Sequence, residues 1–403
     1  MLEHLKWLDD RQQPMLELVQ KLCNLNSGTL NLPGLERVRK ELCDAYKIVG
    51  GELKVVSVPP MTTVNDQGQA VSQPLGQAIV ISKNLDKRPR VLLCIHMDTV
   101  YEVDHAFQTC KFLDPNRLNG PGVVDAKGGL VVMLYTLQTL ERSPFAGRIG
   151  WQVIINPDEE LGSPGSGEML RAAAAEADWG LLFEPSLPDG TMVSWRKGSG
   201  NFSFVVKGRA AHAGRDFQAG RNAVVAMSRL MTQIAALNTD PEVTYNVGRV
   251  SGGGALNIVP DLAVGRVNVR VRNVEQQSQV ESEFQRLVSE TCEQDGIDVQ
   301  MHGSFTSPPK TIDAGTERLQ KIIEQCGSEL GINVKWQGTG GASDGNKFAA
   351  AGLANIDTLG PSGGDIHSDR EYLIVDSLVP RAKLASLVLL NLAAGQGSFH
   401  KRG

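Results

Sequence analysis

Two histidines and three acidic residues, spread over most of the chain, carry the side chains needed to bind a divalent metal ion. They are His96, Asp125, Glu160, Glu184 and His367. Imidazole nitrogens combined with carboxylate oxygens form a mixed ligand set that suits zinc. Each residue alone is a weak signal, so the prediction of a metal site rests on all five together.

Apolar, strand-like runs precede three of these positions. Residues 91–95 lead into His96, residues 153–155 lead into the acidic segment 158–160, and residues 180–183 lead into Glu184. Such runs are typical of buried parallel strands. In an open α/β sheet, ligands bind beyond the carboxyl ends of the strands, where side chains from distant segments can meet. We therefore expect the metal site at that edge of the sheet.

The surroundings of His96 and Asp125 indicate how each could be held. His96 and Asp98 are two positions apart on an extended segment, so they face the same way and the carboxylate could orient the imidazole. A histidine satisfied in the core is the alternative. Asp125 lies in a glycine-flanked turn, residues 122–129, ahead of a helix. Glycines allow close approach to an ion, and a carboxylate can bridge two metal ions; an aspartate that caps the helix is the alternative.

The acidic segment 158–160 is harder to explain by structure alone. Adjacent like charges at a buried strand end repel each other and raise each other's pKa. With metal ions nearby, Glu160 could coordinate while Glu159 takes a proton from water. An exposed acidic loop is the alternative.

The composition sets the class of protein. The 403 residues are 41% hydrophobic, which predicts two or three domains. A formal net charge of -5 provides no basic surface for nucleic acid or an anionic membrane. Six cysteines without a C-x-x-C pair indicate reduced thiols, and no apolar run approaches the ~18 residues of a membrane span. Without a signal-peptide pattern at the start, a cytoplasmic enzyme is expected.

The order of elements predicts a discontinuous catalytic domain. Over residues 1–196, helical and strand-like patterns alternate, which is typical of an α/β fold with a mostly parallel sheet sandwiched by helices. Residues 197–306 follow the order β-α-β-β-α-β of an α+β, ferredoxin-like domain. The α/β alternation returns over residues 307–403, so we expect the middle segment to be inserted into the larger domain.

Eight short stretches resemble motifs of metallopeptidase family M20, which includes glutamate carboxypeptidases, succinyl-diaminopimelate desuccinylases, acetylornithine deacetylases and aminoacylases. The stretches come in the family's order, at residues 93–100, 120–129, 158–163, 183–185, 211–214, 256–260, 340–344 and 367–369. The resemblance implies a zinc-exopeptidase-like fold whose inserted domain acts as a lid and forms a homodimer.

The resemblance also implies a ligand assignment. Asp125 would bridge two zinc ions, with cobalt or manganese as alternative metals. His96 and Glu184 would bind one ion, and Glu160 and His367 the other.

Further residues have implied roles in the reaction. Glu159 would act as general base and later as acid, Asp98 would support His96, and His212 of the lid would reach the active site of the partner subunit. The implied substrate-binding residues are Asn257, Arg270, Gly341 and Ser343. Arg270 suits a substrate carboxylate because a guanidinium donates a fork of hydrogen bonds; an arginine on a solvated strand face is the alternative.

Two departures from the family pattern bear on the substrate. Glutamate carboxypeptidases carry an arginine near the end of the lid, where residues 301–305 contain none, whereas residues 342–345 resemble the desuccinylases. We predict a dizinc hydrolase that cleaves an amide next to a carboxylate-bearing residue, most readily a carboxypeptidase acting on small peptides or N-acyl amino acids. A deacylase of the acetylornithine or succinyl-diaminopimelate type is the first alternative. A catalytically silent binding or scaffold relative is the second, and the intact Glu159 argues against it.

Overall fold

A computed structural model describes residues 1–395. The α-helices of this part of the chain are α1 (Gln12–Cys23), α2 (Leu32–Tyr46), α3 (Gly129–Glu141), α4 (Gly167–Glu176), α5 (Ala223–Ala236), α6 (Val274–Cys292), α7 (Ala314–Glu329), α8 (Asp344–Ala350) and α9 (Leu378–Ala393). Its strands are β1 (Glu52–Ser57), β2 (Met61–Val64), β3 (Ala70–Gln73), β4 (Gln77–Lys83), β5 (Arg90–His96), β6 (Lys111–Asp114), β7 (Arg117–Asn119), β8 (Gly150–Asn156), β9 (Trp179–Leu182), β10 (Met192–Arg196), β11 (Gly198–Lys207), β12 (Ala211–His212), β13 (Thr244–Gly252), β14 (Ile258–Val259), β15 (Leu262–Val271), β16 (Asp298–Ser307), β17 (Trp336–Thr339), β18 (Asn355–Ile356), β19 (Gly363–Gly364) and β20 (Tyr372–Ile374).

The largest sheet has six strands in the order β1-β4-β8-β5-β9-β18. Strands β8, β5, β9 and β18 run parallel to one another, and β4 and β1 add antiparallel strands at one edge. Alternate residues of β5 face opposite sides, as the period of a strand requires. Leu93 packs into the cluster with helices α1, α2, α3 and α9, while Leu92 packs with α4 and α8. Both faces are therefore buried, and the predicted α/β class is confirmed.

A second sheet has four antiparallel strands in the order β13-β15-β11-β16. Along the chain its main elements follow as β11, α5, β13, β15, α6 and β16. One face packs against α5 and α6 around Phe202, Phe204 and Phe284. The other face meets the hairpin of β2 and β3, where Val64 packs on Val205 and Val264. The domain boundaries predicted from the sequence, residues 1–196, 197–306 and 307–403, remain a proposal.

A small sheet that the sequence patterns did not predict connects two segments of the candidate site. Its strands lie in the order β19-β20-β7-β6. Because β7 precedes the turn at Gly122 and β20 follows the loop at His367, their pairing places these two segments side by side. Among residues 1–395, no helix combines the length and apolarity that crossing a membrane requires.

Candidate metal centre

His96 is the last residue of the buried strand β5, and its ring points into an acidic cluster. Its Nε2 atom lies 3.1 Å from Asp125 Oδ1 and 3.8 Å from Glu184 Oε2. Its Nδ1 atom lies 3.0 Å from the backbone oxygen of Asp98. A ring N–H donated to that oxygen leaves the Nε2 lone pair facing the carboxylates, which is the tautomer that a metal ion needs.

Asp125 lies between two histidine–glutamate pairs. Its Oδ1 atom lies 3.1 Å from His96 Nε2, which is also near Glu184, while its Oδ2 atom lies 3.4 Å from His367 Nε2. The Nε2 atom of His367 in turn lies 3.2 Å from Glu160 Oε2. Ligands around a tetrahedral zinc ion at ~2.0 Å are separated by ~3.3 Å, so the spacing of these atoms fits metal ligands. The structure thus brings together all five residues of the predicted metal set.

The buried carboxylate of Asp98, which is outside the five-residue set, holds segments of the cluster in place. The Asp98 carboxylate accepts the backbone N–H groups of Glu159 and Glu160 at 3.1 and 3.2 Å, and the hydroxyl of Thr29 at 2.7 Å. Its Oδ1 atom is also 3.4 Å from His96 Nδ1. Asp98 therefore positions the acidic segment as well as the histidine, and Thr29 was missed because nothing in its sequence neighbourhood indicates the contact.

Glu371 supports the turn of Asp125 and was also missed by sequence reasoning. Its carboxylate accepts the backbone N–H groups of Gly122, Val124 and Asp125 at 3.0–3.1 Å and the hydroxyl of Tyr101 at 2.7 Å. Gly122 has φ +69°, which a side chain rarely adopts. The only sequence signal for Glu371 was an acidic residue four positions after His367.

The members of the acidic segment 158–160 have different surroundings. Asp158 is fully buried and accepts the N–H groups of Gly165 and Ser166 beside helix α4, away from the cluster. Glu159 and Glu160 line the cavity at the cluster. Burial, opposed by His96 and reinforced by Glu184 and Asp344, raises the pKa of Glu159 well above its usual value. Burial and the charge of Asp125 raise the pKa of Glu160 to about 7.

The histidines compensate this negative charge. Hydrogen bonds to Asp125 and Glu160 raise the pKa of His367 to about 10. Burial opposes protonation of His96, but Glu184, Asp125 and Asp98 outweigh it and raise its pKa. In the metal-free cluster, protons on the histidines supply the positive charge that balances the carboxylates. Five ionisable groups that converge in this way are suited to hold divalent cations instead.

Two cavities of about 340 and 320 Å³ open from the cluster. Both are lined by Glu159, Glu160, Gly341 and His367, and Arg270 lines the second. Gly341 and Arg270 therefore lie where a substrate could reach them. Arg270 donates to Asn268 Oδ1 and keeps further N–H groups for other acceptors.

The other predicted residues lie elsewhere. Of the described residues, those lining the two cavities do not include His212, Asn257 or Ser343. His212 and Asn257 are exposed on the short strand β12 and before β14. Ser343 is buried and caps helix α8 by accepting the N–H of Gly345 at 3.2 Å. The roles predicted for these three residues stay predictions.

A buried ion cluster that the sequence analysis did not find lies beside the first cavity. Arg196 donates through Nε and Nη2 to Asp357 at 2.8 and 3.1 Å, and Lys310 Nζ donates to the same carboxylate at 2.8 Å. Arg196 also donates to the backbone oxygen of Gly341 at 3.2 Å. The cluster therefore joins β10 to the loop that carries Gly341, and it adds positive charge near Glu159 and Glu184.

A mixed α/β fold with imidazoles and carboxylates converging at the carboxyl edge of its sheet defines a metal-dependent hydrolase. The model of Peptidase family M20/M25/M40 matches residues 92–391. The chain belongs to peptidase family M20.

Similar proteins include hydrolases of more than one specificity. Carboxypeptidase G2 of Pseudomonas sp. (strain RS-16) is 27% identical over 405 residues, covering 96% of this chain and 91% of that protein. Succinyl-diaminopimelate desuccinylase of Delftia acidovorans is 25% identical over 66% of this chain and 70% of that protein. A solved Bacillus subtilis structure, described as a dinuclear metal-binding peptidase of family M20, is 15% identical with a TM-score of 0.63 and covers 94% of this chain and 98% of that chain.

Proposed function

We propose that this protein is a dizinc hydrolase that cleaves an amide bond next to a carboxylate-bearing residue. The observation that carries the proposal is the position of Asp125, whose two oxygens face two separate histidine–glutamate pairs. One pair is His96 with Glu184, and the other is His367 with Glu160. Nitrogen and oxygen donors in this number suit two zinc ions that share one carboxylate, with cobalt or manganese as alternatives.

Bound divalent ions would supply positive charge that acidifies water and polarises a carbonyl group. The protein's own contribution to proton transfer centres on Glu159, which faces the cavity without being one of the five converging residues. A carboxylate whose pKa is raised by burial can accept a proton from water and hold it until the leaving amine needs it. Asp98 fixes the backbone of Glu159, so the position of this carboxylate is set by the same group that orients His96.

The proposal that the enzyme is a carboxypeptidase rests on positive charge at the cavities. Arg270 lines the second cavity, and burial lowers its pKa without removing its charge at neutral pH. A substrate carboxylate would meet a charged donor there, because the hydrogen bond to Asn268 Oδ1 uses only the Nε–H of the Arg270 guanidinium. The proposed substrates are small peptides or N-acyl amino acids with a free carboxylate, and the similarity to carboxypeptidase G2 over most of both chains favours this class.

A deacylase of the succinyl-diaminopimelate type is the second candidate. The stretch 342–345 and the similarity to a desuccinylase favour it. The two candidates differ in the acyl half of the substrate, so a panel that pairs peptides with acetyl- and succinyl-amino acids of the same leaving amino acid separates them.

The test combines metal content with one substitution. We expect close to two zinc ions per subunit by elemental analysis, and we expect Glu159→Gln to lower the rate at least ~10³-fold with metal content unchanged, because only the proton acceptor is lost. Glu168→Gln, an exposed glutamate in helix α4, is the matched control and keeps its activity. A wild-type protein that binds no zinc and hydrolyses nothing in the panel contradicts the proposal and favours a silent binding protein.

A further inference from the structure

Two cysteines that the proposed reaction does not use lie close together beside the turn that carries Asp125. Cys23 ends helix α1 and is fully buried, whereas Cys110 precedes strand β6 and is half-buried. A Cβ atom placed on Gly120 would lie 2.5 Å from Cys23 Sγ and 2.6 Å from Cys110 Cβ. Cys23 Sγ and Cys110 Cβ are therefore separated by less than the sum of those two distances. Only a glycine fits between them.

The contacts around the pair restrain both cysteines. Cys23 Sγ lies 3.3 Å from the backbone oxygen of Pro121, and the backbone N–H of Cys110 donates to Asn24 Oδ1 at 3.0 Å. The second contact ties Cys110 to the residue that follows Cys23, so the two backbones are already fixed side by side. Cys110 Sγ lies 3.9 Å from the backbone oxygen of Gln20, so its side chain already points toward the last turn of helix α1, which ends at Cys23.

We propose that Cys23 and Cys110 form a redox modification site, in which hydrogen peroxide converts the two thiols into a reversible disulfide. This inference is independent of the proposed function, because none of its groups belongs to the metal cluster. Gly120 lies between the two cysteines, and the turn from Gly120 leads directly to Asp125. A disulfide here would fasten helix α1, strand β6 and the start of that turn to one another.

The chemistry assigns a different part to each sulfur. The neighbouring Cys23 thiol lowers the pKa of Cys110 to about 7, while burial raises the pKa of Cys23. The Cys110 thiolate attacks one oxygen of peroxide, the O–O bond breaks and hydroxide leaves, which oxidises Cys110 to a sulfenic acid. The Cys23 sulfur then attacks the Cys110 sulfur, an S–S bond forms, and the hydroxyl leaves with the Cys23 proton as water. In total, two thiols and one peroxide yield one disulfide and two waters.

The test maps the cross-link after mild peroxide treatment of the full-length protein. Cys292→Ser serves as the background, because Cys292 is exposed and could join two molecules. Trypsin releases Cys23 on residues 22–37 and Cys110 on residues 91–111, which also contain the buried Cys94. We expect these two peptides to be linked, with fragment ions assigning the bond to Cys110 and with dithiothreitol reversing it.

The expected effect of the bond is an increase in melting temperature of about 5 °C, since it closes a long loop of the unfolded chain. Cys110→Ser abolishes both the linked peptide and the increase, whereas Cys43→Ser, at a half-buried cysteine of helix α2, preserves them. In Cys23→Ala, the Cys110 sulfenic acid persists and is captured by dimedone. Unlinked peptides with Cys110 oxidised to sulfinic or sulfonic acid, or five thiols that all remain free in the Cys292→Ser background, would overturn the proposal.

Discussion

Glu371 shows how a residue outside the ligand set can determine the geometry of a metal centre. Four donors converge on its buried carboxylate, and three of them are backbone N–H groups of the turn that ends at Asp125. A glutamine at this position would keep the size of the side chain but would replace one acceptor oxygen with an N–H donor. The turn would then lose part of its support, and Asp125 would be less well oriented.

We therefore expect Glu371→Gln to weaken metal binding about 10–100-fold, the usual effect of losing a group that orients a ligand. Competition with a chromogenic chelator measures the affinity directly. Asp369→Asn, two residues away and exposed, is the matched control. Equal affinities for Glu371→Gln and the wild type would show that the turn needs no carboxylate.

The pKa values of the histidines predict how metal binding depends on pH. In the metal-free protein, hydrogen bonds to Asp125 and Glu160 raise the pKa of His367 to about 10. His367 therefore carries a proton at neutral pH, and a metal ion must displace it. Affinity should rise with pH up to about 10, and binding near pH 7 should release protons. Calorimetry in buffers of different ionisation enthalpy counts these protons, and a binding heat that does not vary with the buffer would contradict the prediction.

The residues that sequence reasoning found differ from those it missed in a physical way. His96, Glu160 and Glu184 follow apolar runs, and the ends of parallel strands must meet at one edge of a sheet. Thr29 and Glu371 act through backbone N–H groups or a single distant carboxylate, so their partners leave no trace in the local pattern. Convergence at strand ends could be predicted, but the hydrogen bonds that hold the turns required coordinates.

The strands also divide into those that the sequence predicted and those that it did not. The apolar runs at residues 91–95, 153–155 and 180–183 predicted β5, β8 and β9. The small sheet of β6, β7, β19 and β20 was not predicted, because its strands have two to four residues and carry too few side chains for a period to be recognised. That sheet nevertheless determines where the loop of His367 lies relative to Asp125.

The ion cluster of Arg196, Lys310 and Asp357 joins elements that are distant in sequence. Burial opposes ionisation of Asp357, but the two cations outweigh it and hold its pKa well below the usual range. Removing the carboxylate leaves two buried cations without a counter-charge, which typically costs 3–5 kcal/mol. We expect Asp357→Asn to lower the free energy of unfolding by about that amount in urea denaturation.

Lys310→Met provides the comparison for this prediction. It removes one cation but leaves the bidentate pair of Arg196 and Asp357 intact, so its effect should be much smaller. Asp298→Asn, at an exposed position of β16, controls for the loss of a carboxylate alone. If Lys310→Met destabilised the protein as much as Asp357→Asn does, packing rather than charge would explain the cluster.

In the molecule as a whole, the hairpin of β2 and β3 connects the two larger sheets. Asp66 in its turn pairs with Arg249 and with Arg266, whose Nη1 atom lies 2.7 Å from Asp66 Oδ1. Arg266 also donates to the backbone oxygen of Val64 at 2.9 Å. These contacts hold the second sheet against the body of the molecule, with Arg270 facing the cavity beside the metal cluster.

His212 is exposed and lies away from the cavities of its own chain, which makes a role in a second copy testable. We propose a homodimer, formed through residues 197–306, in which His212 serves the partner's site.

Mixing two inactive variants tests this arrangement. Glu159→Gln and His212→Ala should each be nearly inactive. After the two variants are mixed and reassociated, half of the dimers contain one of each, and in these one site has both Glu159 and the partner's His212. Activity should then return to about a quarter of the wild-type value. If His212 instead served its own chain, no mixed dimer would contain a complete site and mixing would restore nothing. Size-exclusion chromatography with light scattering establishes that dimers are present, and a chain that remains monomeric under assay conditions would exclude the arrangement.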